Sequence, residues 1–552
     1  MSQNPQPVDG TLPIDAPLVV DGATQTWDRQ CDVLVVGLGA AGGAAAITAK
    51  EAGADVLIAE RFEGGGATIK SGGVVYAGGG TRYQREAGYE DTPDAMFNYL
   101  RQETGDAVSM DALRRFCDGS VDLIAWLESL GVGFESTPHP PKTSYPRNGV
   151  YLYYSGNEGV PAYAQHAKPA PRGHRTKAPG IDSGRELFRA LRNKVDQLGI
   201  PLLQQTSARR LIVDASGAVL GAELWQLEPG SAAQREHQKL MRRAEALHNF
   251  AGAYCDKLRA RALEIERQHA RRLRVRARNG VVLTTGGFIF NREMVRQYAP
   301  KYFPAMRLGA TGCDGSGIRL GESAGGVPAR MEKGSAWRFI NPPVNWPKGI
   351  VVNRQGQRFC NEQVYGARLG VEMVDHNDGK AWLILDRALR KQAMREALSG
   401  KLWFFQSVPA FFLMLFAPRA KTPEALAAKV GLPPAVLAET LKRYSEDAHN
   451  GRTDALGKSD DMRVPLDTAP YYALDVSADS KTFPCPTITL GGLKVDERNN
   501  AVVDAAQQPI PGLYAAGRSA VGVASNGYVS GLSLADCLSA GRRAGASAAG
   551  RR

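Results

Sequence analysis

The sequence predicts an α/β protein in which a doubly wound domain is assembled from both ends of the chain and an α+β domain is inserted between them. Three observations lead there. The 552 residues exceed what one hydrophobic core usually holds, so two domains are expected. A strand, glycine turn, helix and second strand follow one another from residue 32. A further strand-to-glycine turn and a helix follow from residue 512.

The first element is Asp-Val-Leu-Val-Val-Gly over residues 32–37, a valine-rich run expected of a buried parallel strand. It leads into G-L-G-A-A-G, with glycines at 37, 39 and 42, and an alanine-rich helix opening at Ala40 and Ala41. Gly37 permits the tight turn, Gly39 lets the backbone approach a pyrophosphate, and Gly42 lets the helix pack against the strand. The helix N-terminus offers unpaired N–H groups and a positive dipole end. A second apolar run, Val56 to Ala59, ends at Glu60, placed to accept hydrogen bonds from an adenosine ribose.

A second glycine-rich stretch, G-G-G-A-T-I-K-S-G-G over 64–73, follows at once and suits a cofactor longer than NAD, namely FAD. Its candidate contacts, with the preceding Arg61, are Gly66, Ala67, Thr68, Ser71, Gly72 and Gly73. Val281 to Gly287 repeats the strand-to-glycine turn and adds Thr285 and Gly286. Residues 512–518, G-L-Y-A-A-G-R, add Gly517 and Arg518. A final helix opening at Gly531 adds Ser533 and Leu534, and its N-terminus would stabilise negative charge on a reduced flavin. Asp314, in G-C-D-G-S-G over 312–317, either holds cofactor or starts a helix.

Composition narrows the class. Hydrophobic residues make up 43% and charged residues 22%, ordinary for a globular protein. The seven cysteines include no C-x-x-C pair, which argues against a disulfide framework, a zinc site or a cysteine-held iron–sulfur cluster, so no metal is expected. The first 29 residues lack the basic start and apolar run of a secretion signal, and the expectation is a cytoplasmic protein. The net charge is +12, but Arg235 to Arg278 holds thirteen basic residues against five acids, a surplus of eight. Charge gathered in one segment does not point to nucleic acid.

With these segments in place, the chain resembles the fumarate reductase and ketosteroid dehydrogenase superfamily of flavoproteins, over roughly residues 30–225 and 279–548. The resemblance rests on S-G-G-V-V-Y-A-G-G-G-T at 71–81, V-N-R-Q-G-Q-R-F-C-N-E at 352–362 and G-Y-V-S-G-L-S-L-A-D-C at 527–537. The last is similar to the pattern of 3-oxosteroid 4-dehydrogenases, which introduce a double bond between C4 and C5 of a 3-ketosteroid. It implies a Rossmann-like FAD-binding domain over 30–330, returning at 480–548, and an α+β substrate-capping domain over 331–479. It also implies non-covalent FAD, because no histidine lies between Arg61 and Gly73, where respiratory relatives attach it.

Other branches fit less well. Fumarate reductases carry a substrate-contacting histidine and arginine where this sequence has Ala524 and Tyr528, and a pocket without a cation there binds carboxylates poorly. In 3-ketosteroid 1-dehydrogenases the C-terminal motif is usually rich in proline and glycine, unlike Tyr528-Val-Ser530. By the same resemblance Tyr528 is the base for the C4 proton, Ser530 its relay, and Tyr365 a second tyrosine that shares the base role or orients the ketone. Main-chain N–H groups near Gly531 would polarise the 3-keto oxygen. A tyrosine ordinarily titrates near ~10, so the base must be activated or drained. Flavin N5 would take the C5 hydride, and electrons would pass to an external acceptor, a quinone or redox protein. Two alternatives stay open: 1,2-desaturation or enoate reduction, and a flavin electron-transfer subunit docked on a membrane complex.

Two segments fall outside the family pattern. Within a basic amphipathic insertion over 228–278, Leu240, Ala244, Leu247, Ala251, Tyr254, Leu258, Ala262 and Ile265 alternate at spacings of mostly four and three. This reads as one helix of more than 25 residues, packed on its own protein, on a partner in a homo-oligomer, or on an anionic membrane. Residues 402–417, L-W-F-F-Q-S-V-P-A-F-F-L-M-L-F-A, are too few and too interrupted to span a bilayer. They form a buried core helix, a lid over the steroid or a membrane-dipping segment. Together the two segments allow a peripheral contact on the inner face of the membrane.

Overall fold

The computed structural model describes residues 9–139 and 142–550, so part of the stretch read for a secretion signal lies outside the described residues. Strand Arg29–Val36 sits in the middle of a nine-stranded sheet. Its residues alternate between two cores: Val33 and Val35 face one, while Cys31, Leu34 and Val36 face the other. Burial on both faces explains why it reads as an unbroken apolar run. It pairs in parallel with Val56–Ala59 on one side and with Ala270–Leu283 on the other. Ala270–Leu283 in turn pairs in parallel with Pro509–Ala515, so strands from both ends of the chain meet in one sheet. An antiparallel extension, Thr206–Val213 and Val219–Leu227, completes this side.

Two helices set the geometry that matters for function. Ala40–Glu51 follows the first glycine turn, and Leu532–Ala548 is the C-terminal helix. Their contact is close because glycine and alanine line it. A Cβ added to Gly541 would stand 2.3 Å from the Ala41 carbonyl oxygen, and one on Gly545 would stand 2.2 Å from that of Ala45. Gly42 is held as tightly, 2.0 Å from the Gly37 carbonyl oxygen by the same measure. Small residues thus bring the two helices together, and residues at both N-termini line one cavity.

A separate core gathers mainly residues between Ala336 and Cys485 around an antiparallel sheet of Ile350–Val352, Trp382–Leu385, Tyr471–Asp475 and Arg419–Ala420. A four-stranded sheet built on Val74–Tyr76, Gly173–Arg175 and Leu152–Tyr153 brings the 151–158 region up to the C-terminal motif.

The long helix expected in the basic insertion is not one helix. It breaks after Leu247 into Ala232–Leu247 and Gly252–His269, which fold back on each other. Leu240, Met241 and Ala244 of the first pack with Cys255, Leu258 and Ala262 of the second. Most of the apolar stripe is consumed within this hairpin, while Tyr254 of the stripe and Phe250 in the turn stay exposed. The insertion over 228–278 is also not helical throughout: the arginines from Arg271 to Arg278 belong to strand Ala270–Leu283. Alternation along that strand sends Leu273, Val275 and Ala277 inward and the arginines between them outward. Segment 402–417 forms helix Phe404–Leu415, with Ala410, Leu413 and Met414 buried on one side. No described helix is long and apolar enough to cross a membrane.

Candidate active site

One cavity of about 800 Å³ runs between the two helix N-termini, the hairpin and the second core. Gly37, Gly39, Ala40 and Ala41 line it, and Gly39 starts its helix with no side-chain cap. At Gly39 an added Cβ would meet nothing nearer than the Thr68 hydroxyl at 3.5 Å, so the backbone there faces open space. Glu60 lines the cavity at the end of its strand, its carboxylate oriented by the Leu38 N–H at 2.7 Å and the Phe62 N–H at 2.8 Å. Gly66, Ala67, Thr68, Ser71 and Gly72 continue the wall, and the Thr68 hydroxyl accepts from the Ala40 N–H at 2.9 Å. Thr285, Gly286, Gly517, Arg518, Ser533 and Leu534 close the other side. Gly531 caps the C-terminal helix without a side chain, so a second uncapped N-terminus meets the same space. Two positive helix ends, an acid at the ribose position and close-packed glycines are the donor and acceptor set a dinucleotide needs.

Two expected cofactor contacts lie elsewhere. Gly73 does not line the cavity; with φ +60° it makes a left-handed turn whose backbone packs on Ser183 and Gly184. Asp314 is fully buried behind Arg61, accepting from the Leu12 N–H at 2.9 Å, the Ser316 N–H at 3.0 Å and the Arg61 guanidinium at 3.0 Å. It starts a helix and anchors an arginine. Arg61 lines the cavity but spends its guanidinium on Asp314 and on Glu266 of the hairpin, 2.9 Å away.

The hairpin was not foreseen as part of the site. Gln238, Met241, Arg242, Glu245, Ala246 and Asn249 line the cavity beyond Glu60. Glu266, buried, accepts from Arg61, from His237 at 3.0 Å and from the Ser207 hydroxyl at 3.1 Å. Burial opposes its ionisation, but Arg61 and His237 hold it at about 2. Glu245 accepts from the Thr311 N–H at 2.6 Å and pairs with Lys70 at 3.4 Å. These contacts fasten the hairpin over the part of the cavity next to Glu60.

At the opposite part, four hydroxyl side chains converge. Tyr528, Ser530, Tyr365 and Tyr153 all line the cavity, drawn from three distant parts of the chain. The Tyr153 and Ser530 hydroxyls are 3.3 Å apart. Ser530 is gripped through its backbone: its N–H donates to the Ser155 carbonyl at 3.2 Å, and its carbonyl accepts from the Ser155 hydroxyl at 3.0 Å. Tyr365 donates its N–H to Asn157 Oδ1 at 2.5 Å, and Asn157 donates to buried Glu103 at 2.7 Å. The turn at 155–157 therefore holds both Ser530 and Tyr365. Tyr528 packs on Trp337 with ring centres 4.7 Å apart, and Tyr365 on Phe339 at 5.4 Å.

All three tyrosines are held well above their ordinary titration range. For Tyr528 the cause is burial, then Tyr145, with Arg518 pulling the other way. For Tyr365 it is burial, then Tyr528, Tyr153 and Tyr145, with the Ser530 hydroxyl easing it. For Tyr153 it is burial, again eased by Ser530. The environment favours the neutral phenols. Cations do reach the cavity. Arg175 is committed to Ser183 and to the carbonyls of Pro146, Arg147 and Gly180, and Arg185 pairs with Asp182 at the surface.

Residues 32–534 match the family described as FAD binding domain. The chain belongs to that FAD-binding family. Its cofactor is therefore FAD. Among curated relatives, a 3-oxo-5-alpha-steroid 4-dehydrogenase of Comamonas testosteroni is 43% identical, covering 94% of this chain and 98% of its own. A crystal structure of 3-ketosteroid-delta4-(5alpha)-dehydrogenase from Rhodococcus jostii, in complex with 4-androstene-3,17-dione, superposes with a TM-score of 0.81 at 31% identity, covering 97% of this chain and all of that one. A 3-oxosteroid 1-dehydrogenase of Mycolicibacterium smegmatis is 26% identical over 91% of this chain and 94% of its own.

The sequence alone did not single out Tyr153, Asn157, Trp337 or the hairpin residues. For Tyr153 the only local signal is the aromatic run Tyr151-Leu-Tyr-Tyr154, which says nothing of its partner 377 residues away.

Proposed function

We propose that this FAD-dependent oxidoreductase oxidises a saturated 3-ketosteroid to its 4-ene-3-one. The observation that carries this is the cluster of Tyr528, Ser530, Tyr365 and Tyr153 in an aromatic part of the FAD cavity. The 43% identical relative and the steroid-bound structural neighbour support the same reading, and both names specify the 5α series. When bound, non-covalent FAD supplies the two-electron acceptor for the hydride leaving C5.

The chain's own residues do the rest. The C4 proton, acidified by the neighbouring ketone, goes to the oxygen of Tyr528 or of Tyr365, which lies beside it. Because burial keeps these phenols neutral, the tyrosine that takes the C4 proton gives up its own to Ser530, Ser530 gives one to Tyr153, and Tyr153 releases one to solvent through the cavity, so that each hydroxyl ends as it began. Trp337 and Phe339 orient the two rings and keep water from them. Main-chain N–H groups near Gly531 polarise the 3-keto oxygen, which lowers the cost of removing the proton. Electrons then pass to an external quinone or redox protein. The protein works in the cytoplasm and as a peripheral protein on the inner face of the membrane.

Anaerobic mixing with 5α- and 5β-androstane-3,17-dione tests the reading. The expected result is rapid bleaching of the flavin absorbance by the 5α isomer, with a 4-ene product. A 1-ene product would move the reaction to the neighbouring bond. No bleaching by either isomer, with flavin intact, would overturn the steroid assignment.

A further inference from the structure

We propose that the outward face of helix Phe404–Leu415 docks on an anionic membrane surface and admits a lipid-dissolved substrate to the cavity beside it. Phe404, Val408, Phe412 and the pair Leu415 and Phe416 recur at helical spacing, with exposures of 71%, 50%, 50%, 46% and 76%. The opposite side of the helix is fixed to the protein. Ala410, Leu413 and Met414 are buried in the second core, and the Met414 carbonyl accepts from Arg390 at 3.0 Å. Single exposed apolar residues are ordinary, but five on three turns of one well-anchored helix mark a contact surface.

The position of this face indicates what it meets. The helix begins at the cavity: Trp403, Phe404 and Phe405 line it, and Ile181, also exposed, lines the same opening. The apolar face is therefore continuous with the way in. Its flanks are cationic. Between Glu396 and Glu424 there is no acidic residue, while Lys401, Arg419 and Lys421 are exposed on either side of the helix, and Arg147 reaches over the Trp403 ring. A twelve-residue helix is too short to span a bilayer. An apolar stripe edged by cations suits the boundary between anionic headgroups and acyl chains. A second copy of the chain suits it less: two-fold pairing of this face would set the same cations against each other, with no acid in the segment to answer them. The basic hairpin buries most of its apolar stripe against itself and offers no comparable row of exposed apolar side chains.

The docking stands apart from the chemistry; only the identity of the cargo rests on the steroid reading. The test uses the FAD-loaded protein and vesicles without steroid. Wild type is expected to sediment with vesicles of phosphatidylglycerol and phosphatidylcholine, and less with phosphatidylcholine alone or at high salt. A Phe412→Ser, Phe416→Ser double variant, neither residue lining the cavity, is expected to bind at least tenfold more weakly with an unchanged flavin spectrum. Wild type remaining in the supernatant with anionic vesicles overturns the proposal, as does equal binding by the variant. A wild-type dimer that the variant dissolves, seen by light scattering, reassigns the face to a second copy and overturns it too. The entry route has its own readout. Bleaching by steroid carried in vesicles should slow at least tenfold in the variant, while bleaching by steroid dissolved in buffer stays the same. Equal rates from vesicles overturn the route even if docking holds.

Discussion

Glu266→Gln keeps the shape of a buried side chain and removes its charge, which isolates what the hairpin's ionic anchor contributes. In the folded protein the Glu266 carboxylate faces Arg61, His237 and Ser207 and titrates at about 2 instead of 4.5. That depression corresponds to ~3 kcal/mol, within the range of ~3–5 kcal/mol seen when one partner of a buried pair is removed. Asp314, 3.0 Å from Arg61 on its other side, keeps the arginine paired, so ~3 kcal/mol is an upper value for the variant. The sign follows from the lowered pKa: the stabilisation is fully present above 4.5 and is lost as pH falls through about 2. Because the hairpin is one unit of a large protein, the proper readout is local. Hydrogen exchange across 232–269 should quicken by up to about 100-fold at neutral pH, the factor that ~3 kcal/mol represents. FAD should dissociate faster in the same variant, measured by the return of flavin fluorescence, because hairpin residues line the cavity beyond Glu60. Wild-type exchange together with wild-type flavin retention would refute the claim that this anchor fastens the hairpin over the cofactor.

Other consequences concern the chemistry. Tyr528→Phe should lower kcat by about 10²–10⁴ while the bound flavin spectrum is kept; a near-wild-type rate removes the base role. Ser530→Ala should slow turnover and move its pH profile to the alkaline side, since the Ser530 hydroxyl eases the ionisation of Tyr365 and Tyr153; an unmoved profile argues against the relay. Asn157→Ala releases the Tyr365 backbone and should reduce kcat at least tenfold with little change in KM, with FAD affinity unaltered; a loss confined to the yield of folded protein would show a purely structural role. In wild type the rate should rise from neutral toward alkaline pH, because the phenols are held above their usual range and their basic forms grow with pH. A rate that peaks on the acidic side of neutrality contradicts this.

Much of the cofactor half was readable from local spacing. The turn at Gly37, the acid at Glu60, the second glycine stretch and the glycine-capped C-terminal helix are each decided by backbone constraints within a few residues, and each lines the cavity. Asp314 and Gly73 show the limit of that logic. Their motifs require a tight turn and an acid, but a ligand and a neighbouring backbone or arginine satisfy that requirement equally well, and here the neighbour does.

Local spacing decides which stretches are strand, turn and helix around the cavity, and which residue types are available for proton transfer. Tertiary structure decided what each apolar stripe meets. Two stripes of similar appearance have opposite fates: that of the hairpin folds on itself, while that of Phe404–Leu415 is left facing outward beside the cavity. Periodicity records that a face is apolar but carries no information about what covers it. The meeting of Tyr153, Tyr365 and Ser530 was likewise set by long-range packing, through the 155–157 turn that grips the last two from hundreds of residues away.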